Sequence, residues 1–395
     1  MPTTDHTDRD FDHLDASMSA AEVRQTYAQL REGCPVSHNE LYGGFDHLTR
    51  YSDVRNALTD SASYSSADGV FLPPSGLPPV PALEFDEPAH SLWREVLDPP
   101  LTPRAVQALE PTITEVVDLL IDDFAEAGKA DLVSAFAEPL PAIVIGRMVG
   151  LNQDQAVEAR SIAAELFASI GTPDFAQHMA EFTAYTQQRL EERRADPRDD
   201  FLTEMASGVV RGMPIDDIGV AGLMVAYIVG GHHSTASGVA GLLRHTLTHP
   251  GLGEQLPNDR KLLARVIEES LRLTTPLQLF ARTTTCPVTV ADEQLPTGRR
   301  VMLNLAAANR DPREFEDPEA FNPYRARNRH VAFGAGTHVC QGQHLARAEL
   351  RISISRLLER LPDIRLDGEI AASGLTGGVL MTLHSMPVAF TPQKR

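Results

Sequence analysis

Phe333-Gly334-Ala335-Gly336-Thr337-His338-Val339-Cys340-Gln341-Gly342 is the stretch on which the reading of this chain turns, and an amphipathic helical pattern follows it at once. Glycines at this density let the backbone pass close to a flat ring. A lone sulfur at the start of a helix suits a buried thiolate set against a haem iron, stabilised by the metal and by nearby backbone N–H groups. The other two cysteines are Cys34 and Cys286. No CxxC pair or regular spacing links the three, which argues against a disulfide framework and against a zinc site. Unpaired cysteines fit a reducing compartment.

Outward from this stretch the composition is that of an ordinary globular protein, with 42% hydrophobic and 23% charged residues. A length of 395 residues allows two or three domains. No Gly/Ser linker, charge run or low-complexity block divides the chain, so residues 16–395 are expected to form one domain. Residues 1–15 are polar, rich in Asp, His and Thr, and are expected to be a flexible tail. They show no basic segment followed by an apolar one, hence no secretory signal, and a cytoplasmic location is expected. The net charge of −19 argues against nucleic acid and anionic membrane as partners.

Periodicity gives a mainly α protein with a minor antiparallel β part. Residues 41–51 read as a hairpin around Gly43-Gly44, and 52–58 as a short helix. Five prolines between 73 and 81 mark an irregular loop over 66–86. Apolar residues at helical spacing predict helices over 106–127, 138–149, 156–170 and 174–193. Strands are expected near 288–290, 301–303, 364–366 and 387–390. The longest apolar run, 216–248, predicts a single core helix rather than a membrane span, because His232, His233, Ser234 and Thr235 interrupt it. Gly230 and Gly231 in its middle each cost about 1 kcal/mol against alanine, so something flat is expected to approach the backbone there.

The pattern Phe-Gly-x-Gly-x-His-x-Cys-x-Gly, six fixed positions in ten, resembles the haem-ligand loop of the cytochrome P450 family, and the resemblance covers roughly residues 20–390. It implies the family's triangular, helix-rich fold and a soluble bacterial-type monooxygenase. It implies haem b held by Cys340, with Phe333 and Gly342 in its loop and Gly231 against the ring. It also implies electrons from NAD(P)H through a separate ferredoxin and ferredoxin reductase, one oxygen atom taken from O2, and no membrane anchor. Three segments match the family's propionate-binding sites: His90 with Arg94, Arg282, and His338. Glu269 and Arg272, with Arg325, match its buried Arg–Glu–Arg network, which would serve folding.

Gly230-Gly231-His232-His233-Ser234-Thr235 matches the family's oxygen-side segment but departs from it. His233 stands at the usual acid and Ser234 at the usual first threonine. The proton relay, carried by Ser234, His233 and Thr235, is therefore expected to be altered rather than absent. Phe71, Leu277, Leu279, Phe280 and Leu380 are expected to wall the substrate pocket, whose lack of charge favours an apolar substrate. Arg347 and Arg351 with Arg104 offer either a basic docking patch or a solvated helix face. Two rival readings remain. One is P450-type chemistry with atypical oxygen activation, driven by peroxide or leading to coupling or isomerisation. The other is a non-catalytic haem-bearing binding or recruitment protein.

Overall fold

A computed structural model describes residues 11–393. The helices are α1 (Ala20–Gly33), α2 (Tyr51–Thr59), α3 (Ala89–Leu97), α4 (Pro103–Ala125), α5 (Pro139–Val149), α6 (Gln153–Ala168) and α7 (Phe175–Ala195), followed by α8 (Phe201–Ala206), α9 (Asp217–Met224), α10 (Gly230–Thr248), α11 (Leu252–Gln255), α12 (Arg260–Thr274), α13 (Leu305–Ala308) and α14 (Gln343–Arg360). Their ends follow capping chemistry. Asn152 and Gln155 form a reciprocal capping box at α6, and the Asp216 side chain accepts from the Gly219 amide at α9.

The strands are β1 (Val36–Asn39), β2 (Phe45–Leu48), β3 (Tyr64–Ser65), β4 (Lys129–Asp131), β5 (Val209–Val210), β6 (Met213–Pro214) and β7 (Leu279–Thr284), then β8 (Val288–Val290), β9 (Glu293–Leu295), β10 (Arg300–Asn304), β11 (Arg365–Leu366), β12 (Ala371–Thr376), β13 (Leu380–Ser385) and β14 (Pro387–Ala389). The largest sheet has the order β1-β2-β10-β7-β3. Its β2–β10 pair is parallel, so this sheet is mixed, while the smaller sheets are antiparallel. The β12–β13 hairpin had no counterpart in the sequence reading.

The expected hairpin is β1–β2, closed through a tight turn at Leu41–Gly43. Residues 66–86 carry no helix or strand. The single helix expected over 216–248 keeps helical backbone dihedrals throughout its middle but is widened there. A π-helical turn at Val225–Val229 separates α9 from α10, and such wide turns re-aim the residues after them. No single helix among the described residues is long and apolar enough to cross a membrane. The largest core cluster gathers α4, α5, α9, α10 and α14, with Ile113, Ile121, Phe136 and Leu242 at 0% exposure. Each such side chain contributes roughly 1.5–3 kcal/mol of burial.

The tail expected through residue 15 is corrected from Phe11 onward. Phe11 and His13 are buried, the Phe11 carbonyl accepts from Asn39 Nδ2 at 2.9 Å, and His13 Nε2 lies 2.8 Å from the Leu72 carbonyl. An aromatic ring and a histidine within five residues give this short segment enough to bury. Residues 1–10 lie outside the described residues.

Candidate active site

The loop 333–342 is tied by three backbone bonds. Gly334 N–H donates to the Val331 carbonyl (2.9 Å), Val339 to Gly336 (3.1 Å), and Cys340 to Phe333 (2.9 Å). Gly336 has φ +70°, and a Cβ there would lie 2.5 Å from the Leu58 carbonyl oxygen. Both facts demand glycine. Gly342 then caps α14. Burial pushes the Cys340 thiol above its ordinary range. The Gly342 and Gln343 amides and the charges of Arg94 and Arg347 oppose that shift. Cys340 nevertheless keeps an accessible side chain, because it lines an interior cavity of about 570 Å³.

Facing Cys340 across this cavity are α10 and the π turn before it. Gly230, Gly231, Ser234 and Thr235 all line the wall. A Cβ at Gly230 would meet nothing within 4 Å, whereas one at Gly231 would lie 2.8 Å from Ile145 Cδ1. The small residue at 231 therefore serves α10–α5 packing, and the open approach lies at Gly230. Ser234 Oγ donates back to the Gly230 carbonyl at 3.0 Å. Thr235 is buried, and its hydroxyl has no partner among the described residues.

His233 does not reach the cavity. Its ring stacks on Phe167, itself a lining residue, with centroids 4.8 Å apart at 23°. Both its ring nitrogens are buried without a well-formed hydrogen bond among the described residues, and burial, opposed by the nearby Val229 backbone, lowers it to about 4. His232 Nε2 sits 3.1 Å from the Glu138 carbonyl, and burial holds this ring well below its ordinary value too. Both rings are thus neutral near pH 7. The expected direct place for His233 beside the reacting oxygen is corrected: as an aromatic ring it finds a better partner in Phe167 than in the cavity.

Of the expected pocket walls, Phe71, Leu277 and Phe280 line the cavity, and Phe71 stacks on Phe280 with centroids 6.2 Å apart. Leu279 and Leu380 do not. They pack with Ala281 and Met302 in a second core cluster, at 0% and 3% exposure. The reason is the period of a strand. In β7, Phe280 and Arg282 share one face, so Leu279 and Ala281 take the other. Leu380 is drawn into the same layer by its bridge to Leu277. Val70 and Leu72 are likewise buried away from the cavity, and Met381 lines a different one.

A cationic rim stands beside the thiol. Arg282 is buried and lines the cavity. It donates only to the Ala281 carbonyl (2.8 Å), and no carboxylate among the described residues pairs with it. Burial lowers it to about 10. Arg94 binds Asp98 through Nε (2.7 Å) and the Val339 carbonyl through Nη1 (3.1 Å), so it braces the cysteine loop. His90 holds Glu87 at 3.2 Å through Nδ1, while its buried Nε2 has no partner. Its ring meets that of His338 edge-on at 4.4 Å. His338 spans the Ala82 carbonyl (3.2 Å) and Ser66 Oγ (3.3 Å). Burial, then the nearby Arg282 and His90, lowers it to about 4. A buried unpaired guanidinium and an inward-facing sulfur fit haem, whose carboxylates and iron supply the missing partners, whereas His90, expected at the same site, is not among the residues that line the cavity.

The expected network is present. Glu269 accepts from Arg272 Nε (2.9 Å) and Nη2 (2.8 Å), from Arg325 Nε (2.9 Å) and from the Asn322 amide (2.8 Å), with Glu269 and Arg272 fully buried. The neighbouring Glu268 was missed. Burial alone would raise its carboxyl, but hydrogen bonds from Arg347 and His330 overcome this and hold it at about 2. Arg347 also lies 4.4 Å above the Phe333 ring. Arg347 is therefore committed to the loop, and Arg351 pairs with Glu110 at 2.6 Å. The basic patch reduces to Arg104, which is exposed and unpaired among the described residues.

A family profile described as Cytochrome P450 matches residues 171–362. A steroid C26-monooxygenase of Mycobacterium tuberculosis is 33% identical over 392 residues, covering 97% of this chain and 98% of its own. An erythromycin C-12 hydroxylase of Saccharopolyspora erythraea is 31% identical, covering 86% and 87%. Among solved structures, P450BioI in complex with an acyl carrier protein ligated to hexadec-9Z-enoic acid superposes with a TM-score of 0.84 at 26% identity, covering 94% of this chain and 99% of its own.

Proposed function

This chain belongs to the cytochrome P450 family of haem b monooxygenases acting on small organic molecules, and from that premise we propose that its substrate is apolar and that its electrons come from NAD(P)H through a ferredoxin and its reductase in the cytoplasm. The bound haem supplies dioxygen activation and insertion of one oxygen atom into the substrate. Cys340 would hold the iron. Arg282, Arg94 and His338 would hold the propionates, with His90 packed against the His338 ring. The uncharged faces of Phe71, Leu277, Phe280 and Phe167 exclude water and select an apolar molecule by shape. Ser234 and Thr235 present the only hydroxyls of α10 that line the cavity. They hold and hand on protons there. The described residues from Phe11 onward act as one unit, a reading supported by Phe175 and Val229, which pack against both the first and second core clusters.

The observation that carries this reading is the accessibility of a surrounded sulfur. Cys340 is accessible and lines the cavity that Ser234, Phe280 and Arg282 also line. Replacement of Cys340 by serine should abolish the thiolate-type absorption of the reduced, carbon-monoxide-treated protein. A spectrum unchanged by Cys340→Ser overturns the proposal.

A second reading is favoured by the placement of His233. With that ring behind Phe167, the one carboxylate lining the cavity among the described residues is Glu84, whose two oxygens accept from the Val70 (3.1 Å) and Val80 (3.0 Å) amides. No acid therefore stands beside Ser234, and peroxide-driven turnover fits such a site. Turnover with hydrogen peroxide exceeding that with ferredoxin and NADH would select it. The relatives' monooxygenase and hydroxylase activities displace the non-catalytic rival.

A further inference from the structure

Along the C-terminal half of α10 lies a second cavity, of about 300 Å³, unlike the first in character. Its wall holds three guanidinium groups, Arg24 from α1, Arg244 from α10 and Arg310 after α13, and a single carboxylate, Glu319. Arg310 Nε binds Glu319 at 3.1 Å, and that carboxylate is mostly exposed. Neither Arg24 nor Arg244 has a side-chain hydrogen bond or an ion pair among the described residues. The charge of Arg24 acts on both of the others. Burial and then Arg24 depress Arg244, and burial together with Arg272 and Arg24 opposes the charge on Arg310. Like charges gathered around one hollow are costly unless an anion joins them. This grouping is the more telling in a protein of net charge −19.

The floor adds a polar group without a partner. Gln278 is 3% exposed, lines this cavity, and its Oε1 meets no donor, while its Nε2 reaches only the Thr274 carbonyl at 3.4 Å. The two histidines of the wall are spoken for: His245 Nδ1 lies 3.0 Å from Ser270 Oγ, and His249 Nδ1 lies 2.7 Å from the His245 carbonyl. Burial lowers His245 to about 3, so it brings no charge of its own. Three guanidiniums against one carboxylate leave two positive charges, which match a phosphate dianion better than a monocarboxylate. The orphaned amide oxygen asks for a donor, such as a hydroxyl carried on the same molecule.

We propose that the cavity between α1, α10, α12 and β13 is a binding site for a small phosphate monoester, with Arg24, Arg244 and Arg310 around its phosphate and Gln278 at its organic end. The test is calorimetric titration of the haem-loaded protein at low ionic strength, with inorganic phosphate in one arm and glycerol phosphate in the other. Both should bind saturably at one site, the monoester at least as tightly, and chloride at matched ionic strength should not displace them. Arg244→Glu, on an exposed side chain, should weaken both at least tenfold while leaving thermal unfolding and the carbon-monoxide spectrum as in the parent. Arg24→Glu should do the same. Inorganic phosphate bound with the monoester excluded would overturn the monoester assignment. Absence of saturable heat, or affinity unmoved in Arg244→Glu, would overturn the site itself.

Discussion

Ser234 is where a single atom divides two accounts of this enzyme. Its hydroxyl donates to the Gly230 carbonyl, a common habit of serine within helices. It also lines the cavity, and an oxygen that donates once can still accept. Ser234→Ala should raise the hydrogen peroxide released per NADH consumed severalfold while substrate-induced spectral shifts persist. An unaltered ratio would reduce Ser234 to a helix back-bond. The neighbouring position carries a different lesson. Sequence spacing sets His233 where a carboxylate usually stands in the family. What the spacing could not reveal is the rotamer, decided by Phe167 some sixty residues earlier.

At the scale of elements, α10 is shaped by its contacts as much as by its composition. Gly231 leaves room for Ile145 of α5. Gly231→Ala gains about 1 kcal/mol of helix propensity but drives a methyl into that side chain, an overpacking that costs about 1–3 kcal/mol. Net destabilisation is expected in thermal unfolding, and Ile145→Val in the same chain should recover part of it. Where recognition rests on local spacing, the sequence was readable. The loop 333–342 and the Glu269–Arg272 step are of this kind, since turn geometry and the i,i+3 relation fix them within a few residues. Features that depend on partners far along the chain were not. Leu279 was placed on the wrong face of β7 because an apolar run looks alike on both sides until the strand's neighbours are known. The π turn at Val225–Val229 leaves no mark in an apolar sequence, and Glu268 looked like any helix surface acid until Arg347 met it.

For the molecule as a whole, pH acts through groups buried far from the surface. Glu349 of α14 is 1% exposed, and its Oε2 has no partner. Burial raises its carboxyl to about 8 from 4.5. The folded state thus holds a proton that the unfolded state releases near 4.5. The associated stability is complete below that pH and is lost as pH rises through about 8. Glu268 works in the opposite sense: held at about 2, it stabilises above its unfolded value of 4.5 and gives that up as pH falls toward 2. Between pH 5 and 8 the melting temperature of the native protein should therefore fall relative to that of Glu349→Gln, while the buried histidines, lowered by burial, add stability in both proteins as pH rises toward 6.5. A slope identical in both proteins would show that Glu349 is charged in the fold.

The anchoring of Phe11 and His13 bears on how this enzyme is handled at the bench. His13 clasps the carbonyl of Leu72, next to Phe71 in the proline-rich cover of the reaction chamber. Trimming the gene to begin at residue 16 would unlatch that cover while sparing every group near the sulfur. Such a shortened enzyme should still load haem yet hold its substrates less tightly, visible as a larger dissociation constant in Soret titrations.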